Sequence, residues 1–241
     1  GSGSTQQSPI HNYGLPGMYS VTLVVTNGKT TSTKGWSRCV IVSKAHSGSY
    51  LFADVPQDYW AYTGVTACYD VDLVAGYPDD TYRPALSVSR DQMAVYVSRA
   101  LAGNDQNVPE GPDLASFADV APNYWAYRYI EYAKDRQIAL GFPDGLFHPA
   151  EAVNRGQMAV FVARLLAEPA GEAGLAGYVP PQTPRFSDVG PSGAWSWCYK
   201  HVEYIAEKGV TSGYPDGTYH PEVTCTRDQL AEFLARGLGL E

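Results

Sequence analysis

The sequence predicts a mainly α-helical protein with three copies of one helix-turn-helix unit, preceded by a small all-β segment. A block of turn residues that leads into a helix start recurs along the chain as GYPDDTYRP, GFPDGLFHP and GYPDGTYHP. In every copy a tryptophan lies 30 residues before an arginine, and these pairs are Trp60 and Arg90, Trp125 and Arg155, and Trp197 and Arg227. A constant spacing within copies that are joined by linkers of different length is typical of an internal repeat. We therefore expect units at residues 50–104, 115–168 and 184–241.

Each unit is predicted to contain two helices joined by the turn. The first helix shows apolar residues near helical spacing, such as Ile130, Ala133 and Ile138 in the second unit. The second helix starts with a capping residue followed three positions later by glutamine, as in Ser89 and Gln92, which is the capping-box arrangement. An arginine then occupies the first helical position, where the partial positive charge of the helix N-terminus disfavours a cation. We expect some other partner to hold the arginine there.

Composition and charge exclude several classes of function. The chain has 241 residues, of which 44% are apolar and 17% charged, so it is ordinary globular material. A net charge of −8 argues against general binding to nucleic acid, and no apolar run approaches the length of about 20 residues that membrane insertion requires. No catalytic constellation and no pattern for a metal or cofactor stands out. We expect neither an enzyme nor a metal protein.

The four cysteines favour disulfides over a metal site, because no CxxC motif is present. Alignment of the units places Cys198 and Cys225 at core positions of one unit, and we expect a disulfide between them. The remaining pair, Cys39 and Cys68, would then tie the N-terminal segment to the first unit. Buried free thiols are the alternative.

Further shared motifs resemble a known family. FADVPQDYWA from Phe52, FADVAPNYWA from Phe117 and FSDVGPSGAWSWC from Phe186 precede the three turns. In this order, with the turns and helix starts, they resemble the S-layer homology (SLH) domains of bacterial surface proteins. The resemblance implies a pseudo-threefold bundle of helix-turn-helix repeats, located extracellularly. Its grooves between repeats would bind an acidic secondary cell-wall polysaccharide, often one capped by a pyruvate ketal.

The resemblance and the recurring positions together give the candidate glycan-binding residues. These are Arg90, Arg155, Arg227, Trp60, Trp125, Trp197, Gly76, Gly141, Gly213, Gln92, Gln157 and Gln229. A ligand carboxylate is expected to meet the arginine and the free N–H groups of the helix start together. Structural interpretations stay open: the arginines form salt bridges to the neighbouring repeat, the tryptophans belong to the core, and the glycines serve backbone geometry. We interpret Asp54, Asp119 and Asp188 as N-caps of the first helices.

Residues 1–46 predict β-structure. Tyr19, Val21, Leu23 and Val25 alternate with other residues, and the chain then turns at Asn27-Gly28. The segment resembles the C-terminal half of a PKD domain, an Ig-like sandwich, and supplies about three strands. Such a fragment must be covered by the first repeat or by a neighbouring subunit. The second possibility makes the chain a homo-oligomer or polymer, a self-assembling surface-layer or filament subunit in which the repeats supply subunit contacts.

Overall fold

The fold is a helical bundle with a β-hairpin at its N-terminal side. The computed structural model describes residues 3–6, 9–26, 29–44, 51–167 and 169–241. The described residues form β1 (Gly17–Thr26), β2 (Thr31–Val42), α1 (Tyr62–Asp70), α2 (Arg90–Ala102), α3 (Tyr127–Asp135), α4 (Arg155–Leu166), α5 (Ser196–Glu207) and α6 (Arg227–Leu238). The mainly α-helical fold class is confirmed. The helix α5 starts about one turn earlier in its unit than α1 and α3 do in theirs.

The helices pair between units. The first helix of each unit packs on the second helix of another: α3 packs on α2, α5 on α4, and α1 on α6. The second helices also contact one another, α2 with α4 and α4 with α6. The apolar stripes, which include Val97, Ile130 and Val162, are fully buried in these contacts. Each unit therefore completes the core of its neighbour, and the last unit closes on the first.

Three backbone hydrogen bonds form a closed ring where the units meet. The N–H of Val88 donates to the carbonyl of Cys225 at 3.0 Å, that of Val153 to Val88 at 2.8 Å, and that of Cys225 to Val153 at 2.8 Å. All three residues are buried. Each of them donates once and accepts once within the ring, so these six polar groups are removed from water without penalty.

Three aspartates hold the turns, and the N-cap interpretation of Asp54, Asp119 and Asp188 is wrong. The carboxylate of Asp119 accepts the backbone N–H groups of Phe147 and His148 at 2.9 and 2.7 Å. Asp54 and Asp188 make the same pair of bonds in their units. The first helices instead begin after Ala61, Ala126 and Trp195, without a side-chain cap. Two successive N–H groups of the turn attract the carboxylate more strongly than the helix start does.

The N-terminal segment forms two antiparallel strands, β1 and β2, rather than about three. The predicted turn at Asn27-Gly28 lies outside the described residues. The base of the hairpin docks on the bundle: Met18 is buried, its N–H donates to Gly103 at 2.8 Å, and Lys44 pairs with Asp72 at 2.9 Å. Farther along the strands, large apolar side chains are exposed, including Leu23 at 53% and Trp36 at 44%. The first repeat thus covers only one end of the hairpin.

All four cysteines are free thiols, so neither predicted disulfide is formed. The Cys68 thiol donates to the carbonyl of Ala231 in α6 at 3.4 Å, whereas Cys39 is exposed on β2. The Cys198 thiol donates at 3.2 Å to Trp195 of its own unit. Burial raises the pKa of Cys198 and of Cys225 to about 12, which keeps both thiols protonated. The alternative of buried free thiols describes Cys68, Cys198 and Cys225.

Among the described residues, no helix has both the length and the apolar character needed to cross a membrane.

Candidate functional site

The three repeated arginines are buried between units. Arg90, Arg155 and Arg227 expose only 5%, 4% and 4% of their surface. Each directs its Nε to a turn carbonyl of the next unit in the cycle: Arg90 to Phe147 at 2.7 Å, Arg155 to Tyr219 at 2.8 Å and Arg227 to Tyr82 at 2.9 Å. The partner that the sequence left open is thus the backbone of a neighbouring repeat. It is not the carboxylate of a salt bridge.

Aromatic rings enclose the guanidinium groups. The Arg90 guanidinium carbon lies 4.3 Å from the ring centre of Phe142 and 4.7 Å from that of Phe147. Arg155 lies in the same way against Tyr214 and Tyr219, and Arg227 against Tyr77 and Tyr82. Burial lowers the pKa of Arg90 to about 10, so this group is still charged at neutral pH. Cation–π contact and at least one charged hydrogen bond per arginine compensate for the loss of water.

The first N–H groups of the second helices are occupied. The N–H of Arg90 donates to the carbonyl of Glu151 at 2.9 Å, and that of Asp91 to Pro149 at 2.9 Å. The helices α4 and α6 donate in the same way to the turns of units three and one. The expectation that a ligand carboxylate meets these N–H groups is therefore wrong, because the neighbouring repeat already caps them.

The repeated glutamines complete the capping boxes. The Oε1 atoms of Gln92, Gln157 and Gln229 accept the N–H of Ser89, Asn154 and Thr226 at 3.2, 3.1 and 3.4 Å. Gln157 and Gln229 also line grooves between the units. Their amide Nε2 groups have no acceptor among the described residues. They are donors that a ligand can use.

The repeated glycines give room to the phenylalanine that opens each unit. A Cβ atom on Gly76, Gly141 or Gly213 would overlap the ring of Phe52, Phe117 or Phe186, respectively. Gly141 and Gly213 also have φ values of 72° and 71°, where side chains are strained. The structural interpretation of these glycines is supported. Gly141 and Gly213 nevertheless form part of the groove walls.

The repeated tryptophans are exposed at the grooves rather than buried in the core. Trp60, Trp125 and Trp197 expose 58%, 59% and 48% of their surface. The Arg90 groove, of about 390 Å³, combines Arg90 of unit one with Leu140, Gly141 and Phe161 of unit two and Trp197 of unit three. Each groove thus draws on all three units.

The Arg155 groove, of about 200 Å³, has the equivalent lining, with each residue supplied by the next unit in the cycle. Arg155 comes from unit two, Gly213 and Phe233 come from unit three, and Trp60 comes from unit one. The pseudo-threefold arrangement assigns Arg227 and Trp125 to a third position, the Arg227 groove, walled by unit one.

The three arginines differ in how many of their guanidinium N–H groups already have a protein acceptor. Both Nη atoms of Arg227 are engaged, with the Tyr96 hydroxyl at 2.8 Å and the Ala75 carbonyl at 2.8 Å. Phenylalanine takes the place of Tyr96 in the other units, as Phe161 and Phe233. Within the described part of the chain, the Nη atoms of Arg90 and Arg155 have no acceptor. These two arginines can therefore still donate to a ligand.

A contact that the sequence reasoning missed joins the loop before the first helix to another unit at two of the three positions. The Tyr124 hydroxyl donates to Asp91 at 2.6 Å, and that of Tyr59 donates to Asp228 at 2.6 Å. Burial and the carboxylate raise the pKa of Tyr59 to about 12. At the third position glycine, Gly156, stands where the aspartates are, and no tyrosine precedes Trp197. The tyrosine and the aspartate are absent together at this position, and this paired difference in the sequence could have revealed the contact.

Ion pairs form part of the walls of the Arg90 and Arg155 grooves. Arg164 and His201, which line the Arg90 groove, both bind Glu172, at 2.6 and 3.1 Å. In the Arg155 groove Arg236 binds the buried carboxylate of Glu232 at 2.7 Å. Burial raises the pKa of Glu232, while Arg236 opposes this shift. Burial lowers the pKa of His201.

The geometry defines a class of protein: a closed three-repeat module whose grooves present one guanidinium, amide donors and an exposed indole ring. Comparison with known proteins agrees with this class. The family model of the S-layer homology domain matches residues 51–94, 116–159 and 185–231 of this chain. The chain belongs to this family.

Similar proteins carry the same kind of module. The chain is 30% identical over 166 residues to cell surface glycoprotein 1 of Acetivibrio thermocellus and 27% identical over 166 residues to the cellulosome-anchoring protein of the same organism. It is 26% identical over 193 residues to an endoglucanase of a Bacillus species. These matches cover 68%, 69% and 80% of this chain, but only 7%, 35% and 19% of the relatives. The chain is thus an SLH triplet of the extracellular cell surface, and it spans only a part of the length of these relatives.

Proposed function

We propose that this chain binds an acidic, pyruvylated type of secondary cell-wall polysaccharide through the grooves between its repeats, without catalysis. The observation that carries the proposal is the composition of the Arg90 and Arg155 grooves. Each brings a buried guanidinium with unused Nη donors next to a half-exposed tryptophan from another repeat. A carboxylate is the natural acceptor for the guanidinium, and a sugar ring packs on the indole face.

The tryptophans offer the cleanest test, because the arginines also hold the fold. We expect the joint replacement of Trp60, Trp125 and Trp197 by alanine to weaken binding to purified wall polysaccharide on the order of tenfold per occupied groove. Trp36, which is exposed on the hairpin, provides the matched control. Equal losses for Trp36→Ala and the triple variant in a quantitative pull-down would contradict the proposal.

Ionic strength gives a second readout. Binding to an acidic polymer should weaken as salt screens its attraction to the guanidinium groups. The same polysaccharide after removal of its ketal groups by mild acid should bind more weakly and with less dependence on salt. Affinity that is unaffected by either treatment would show that the ligand is not recognised as an anion.

A second function, self-assembly, is favoured by the hairpin. Leu23 and Val24 project from opposite faces of β1, and both are more than half exposed. Apart from the bond of Met18 to Gly103 at the base, no further strand pairs with the outer edge of β1 or β2 among the described residues. A neighbouring copy that added strands there would cover these faces and build a homo-oligomer or polymer.

Deletion of residues 1–46 tests the self-assembly function. We expect the full chain to form larger particles in light scattering as its concentration rises, and the deleted chain to stay monomeric while it still binds the polysaccharide. A full chain that is monomeric at high concentration, or a deleted chain that assembles equally well, would exclude assembly through the hairpin.

A further inference from the structure

We propose that the three grooves are not equivalent and that the Arg90 groove is the principal site for an acidic saccharide in this chain. This inference rests on the proposed function and adds a ranking of the sites. Two side chains that differ between the units, Tyr96 and Glu232, set the ranking. Neither belongs to the residues that the units share.

In the Arg227 groove, residues of unit one already occupy the guanidinium group. Tyr96 supplies a hydroxyl to one Nη of Arg227 and Ala75 supplies a carbonyl to the other, so all three guanidinium nitrogens of Arg227 have protein partners. A ligand carboxylate would have to displace these bonds inside a buried site. Phe161 and Phe233 offer no hydroxyl at the same position, and the Nη atoms of Arg90 and Arg155 are correspondingly unused by the residues that the structure describes.

The Arg155 groove contains a fixed negative charge. Glu232 lines this groove and stands where the other units have Val95 and Val160. Its carboxylate is held by Arg236 at 2.7 Å and lies against Gly64, where a Cβ atom would come within 2.6 Å of Oε1. Arg236 offsets the charge of Glu232, but a ligand carboxylate that binds Arg155 must still approach next to the carboxylate of Glu232. Repulsion in a partly buried groove acts over several ångströms.

The Arg90 groove has neither obstacle. Val160 and Phe161 occupy the positions of Glu232 and Tyr96, and the groove has the larger volume of the two that are open, about 390 Å³ against 200 Å³. Its lining also contains Arg164 and His201, which share Glu172, and Glu172 itself is not part of the lining. An acidic saccharide therefore meets the accessible Nη atoms of Arg90 without a carboxylate in the groove wall.

Single tryptophan variants measure the ranking directly. The probe is the pyruvate ketal of a methyl hexopyranoside, titrated calorimetrically into the full chain at neutral pH. We expect Trp197→Ala, in the Arg90 groove, to reduce affinity on the order of tenfold. The loss should be smaller for Trp60→Ala and smallest for Trp125→Ala. Equal losses in the three variants, or the largest loss in either of the other two, would overturn the ranking.

Exchanges between units test the cause of the ranking. Glu232→Val and Tyr96→Phe install the residues that the Arg90 groove has, and each should raise the affinity of its own groove toward that of the Arg90 groove, which adds one high-affinity site to the stoichiometry. Val160→Glu should reduce the affinity of the Arg90 groove about three- to tenfold, whereas Val160→Gln, which has the same size without charge, should do so much less. Identical effects of Glu and Gln, or no added site in both exchanges, would contradict the role of Glu232 and Tyr96.

The wild-type protein separates the two levels of inference. Wild-type protein that binds neither the ketal nor the wall polysaccharide overturns the proposed function, and the ranking falls with it. Wild-type protein that binds the ketal with three equal sites keeps the proposed function and overturns the ranking alone.

Discussion

The SLH triplet and the hairpin treat their polar backbone groups in opposite ways. In the triplet, hydrogen bonds run from each unit to the next until the last returns to the first, as in the ring of Val88, Val153 and Cys225. In the hairpin, the ladder of bonds joins β1 to β2, the N–H of Met18 at the base donates to Gly103, and no third strand pairs with either edge among the described residues. A closed cycle leaves no edge to protect, whereas an open pair of strands depends on water or on another chain. The difference predicts where the molecule tolerates change.

Removing a link of the cycle should have the largest effect. We expect Arg227→Ala to lower the free energy of unfolding by about 3–5 kcal/mol, because it removes three buried charged hydrogen bonds and leaves carbonyl groups without donors. Arg155→Ala, which removes one such bond, should cost less, about 1–3 kcal/mol. Arg83→Ala is the control, since its pair with Asp79 is exposed and solvent screening leaves such a pair little effect on stability. Urea unfolding measures all three, and equal costs would contradict the role of the buried arginines.

Filling the space in front of an opening phenylalanine should come next. We expect Gly213→Ala to cost about 2–4 kcal/mol, since the new Cβ overlaps Phe186 and the residue has a φ of 71°. Gly217 has a φ of 81° and no neighbour within 4 Å of its Cβ position, so Gly217→Ala isolates the backbone strain at about 1–2 kcal/mol. If thermal or urea unfolding gave the same loss for both variants, packing against Phe186 would not matter.

The buried carboxylate of Glu232 should make the triplet sensitive to pH. Burial raises its pKa in the folded state, so the folded state binds the proton more tightly and this group adds stability as the pH falls from neutral toward 4.5. His201 acts in the opposite direction, because burial lowers its pKa. The comparison of wild type with Glu232→Gln cancels that contribution. We expect wild type to gain stability relative to the variant as the pH falls over this range. A difference that is constant with pH would refute the assignment.

Changes on the open part of the hairpin should have the smallest effect. We expect Leu23→Thr to change the free energy of unfolding of the triplet by less than about 0.5 kcal/mol, because Leu23 is 53% exposed. Ile130→Ala, in the core, should cost about 2–5 kcal/mol. A cost above about 1 kcal/mol for Leu23→Thr would show that the hairpin unfolds together with the triplet.

Local patterns in the sequence predicted local structure well. The capping boxes, the positions of the arginines and the two helices of each unit follow from hydrogen bonding and apolar spacing within a few residues. The partner of each helix could not be predicted in this way, because an apolar stripe does not specify which other stripe covers it. The pairing of α1 with α6 joins residues at opposite ends of the triplet.

The sequence predicted where the candidate site lies better than it predicted which groups bind one another there. The awkward place of Arg90 at a helix start correctly indicated a strong partner, but that partner is a backbone carbonyl of the next unit. Similarly, Asp119 has the residue type of a cap, and only the folded turn shows which N–H groups it accepts. The differences between grooves were visible in the sequence as Tyr96 and Glu232, but their meaning depends on distances between units.

The pairing of α1 with α6 also has a topological consequence. Leu240, near the end of the triplet, lines the same cavity as Tyr62, the first residue of α1, and Ile41 of β2. The two ends of the triplet are therefore neighbours in space, so a short peptide could join them while the chain is opened elsewhere. The linker at residues 109–114 is exposed or half-exposed and lies between two units, which makes it a suitable opening. A circularly permuted chain cut there would begin with unit two and end with unit one, with the same cycle of contacts. The order in which the repeats follow one another in the chain can therefore change without a change in their contacts, and any of the three units can come first.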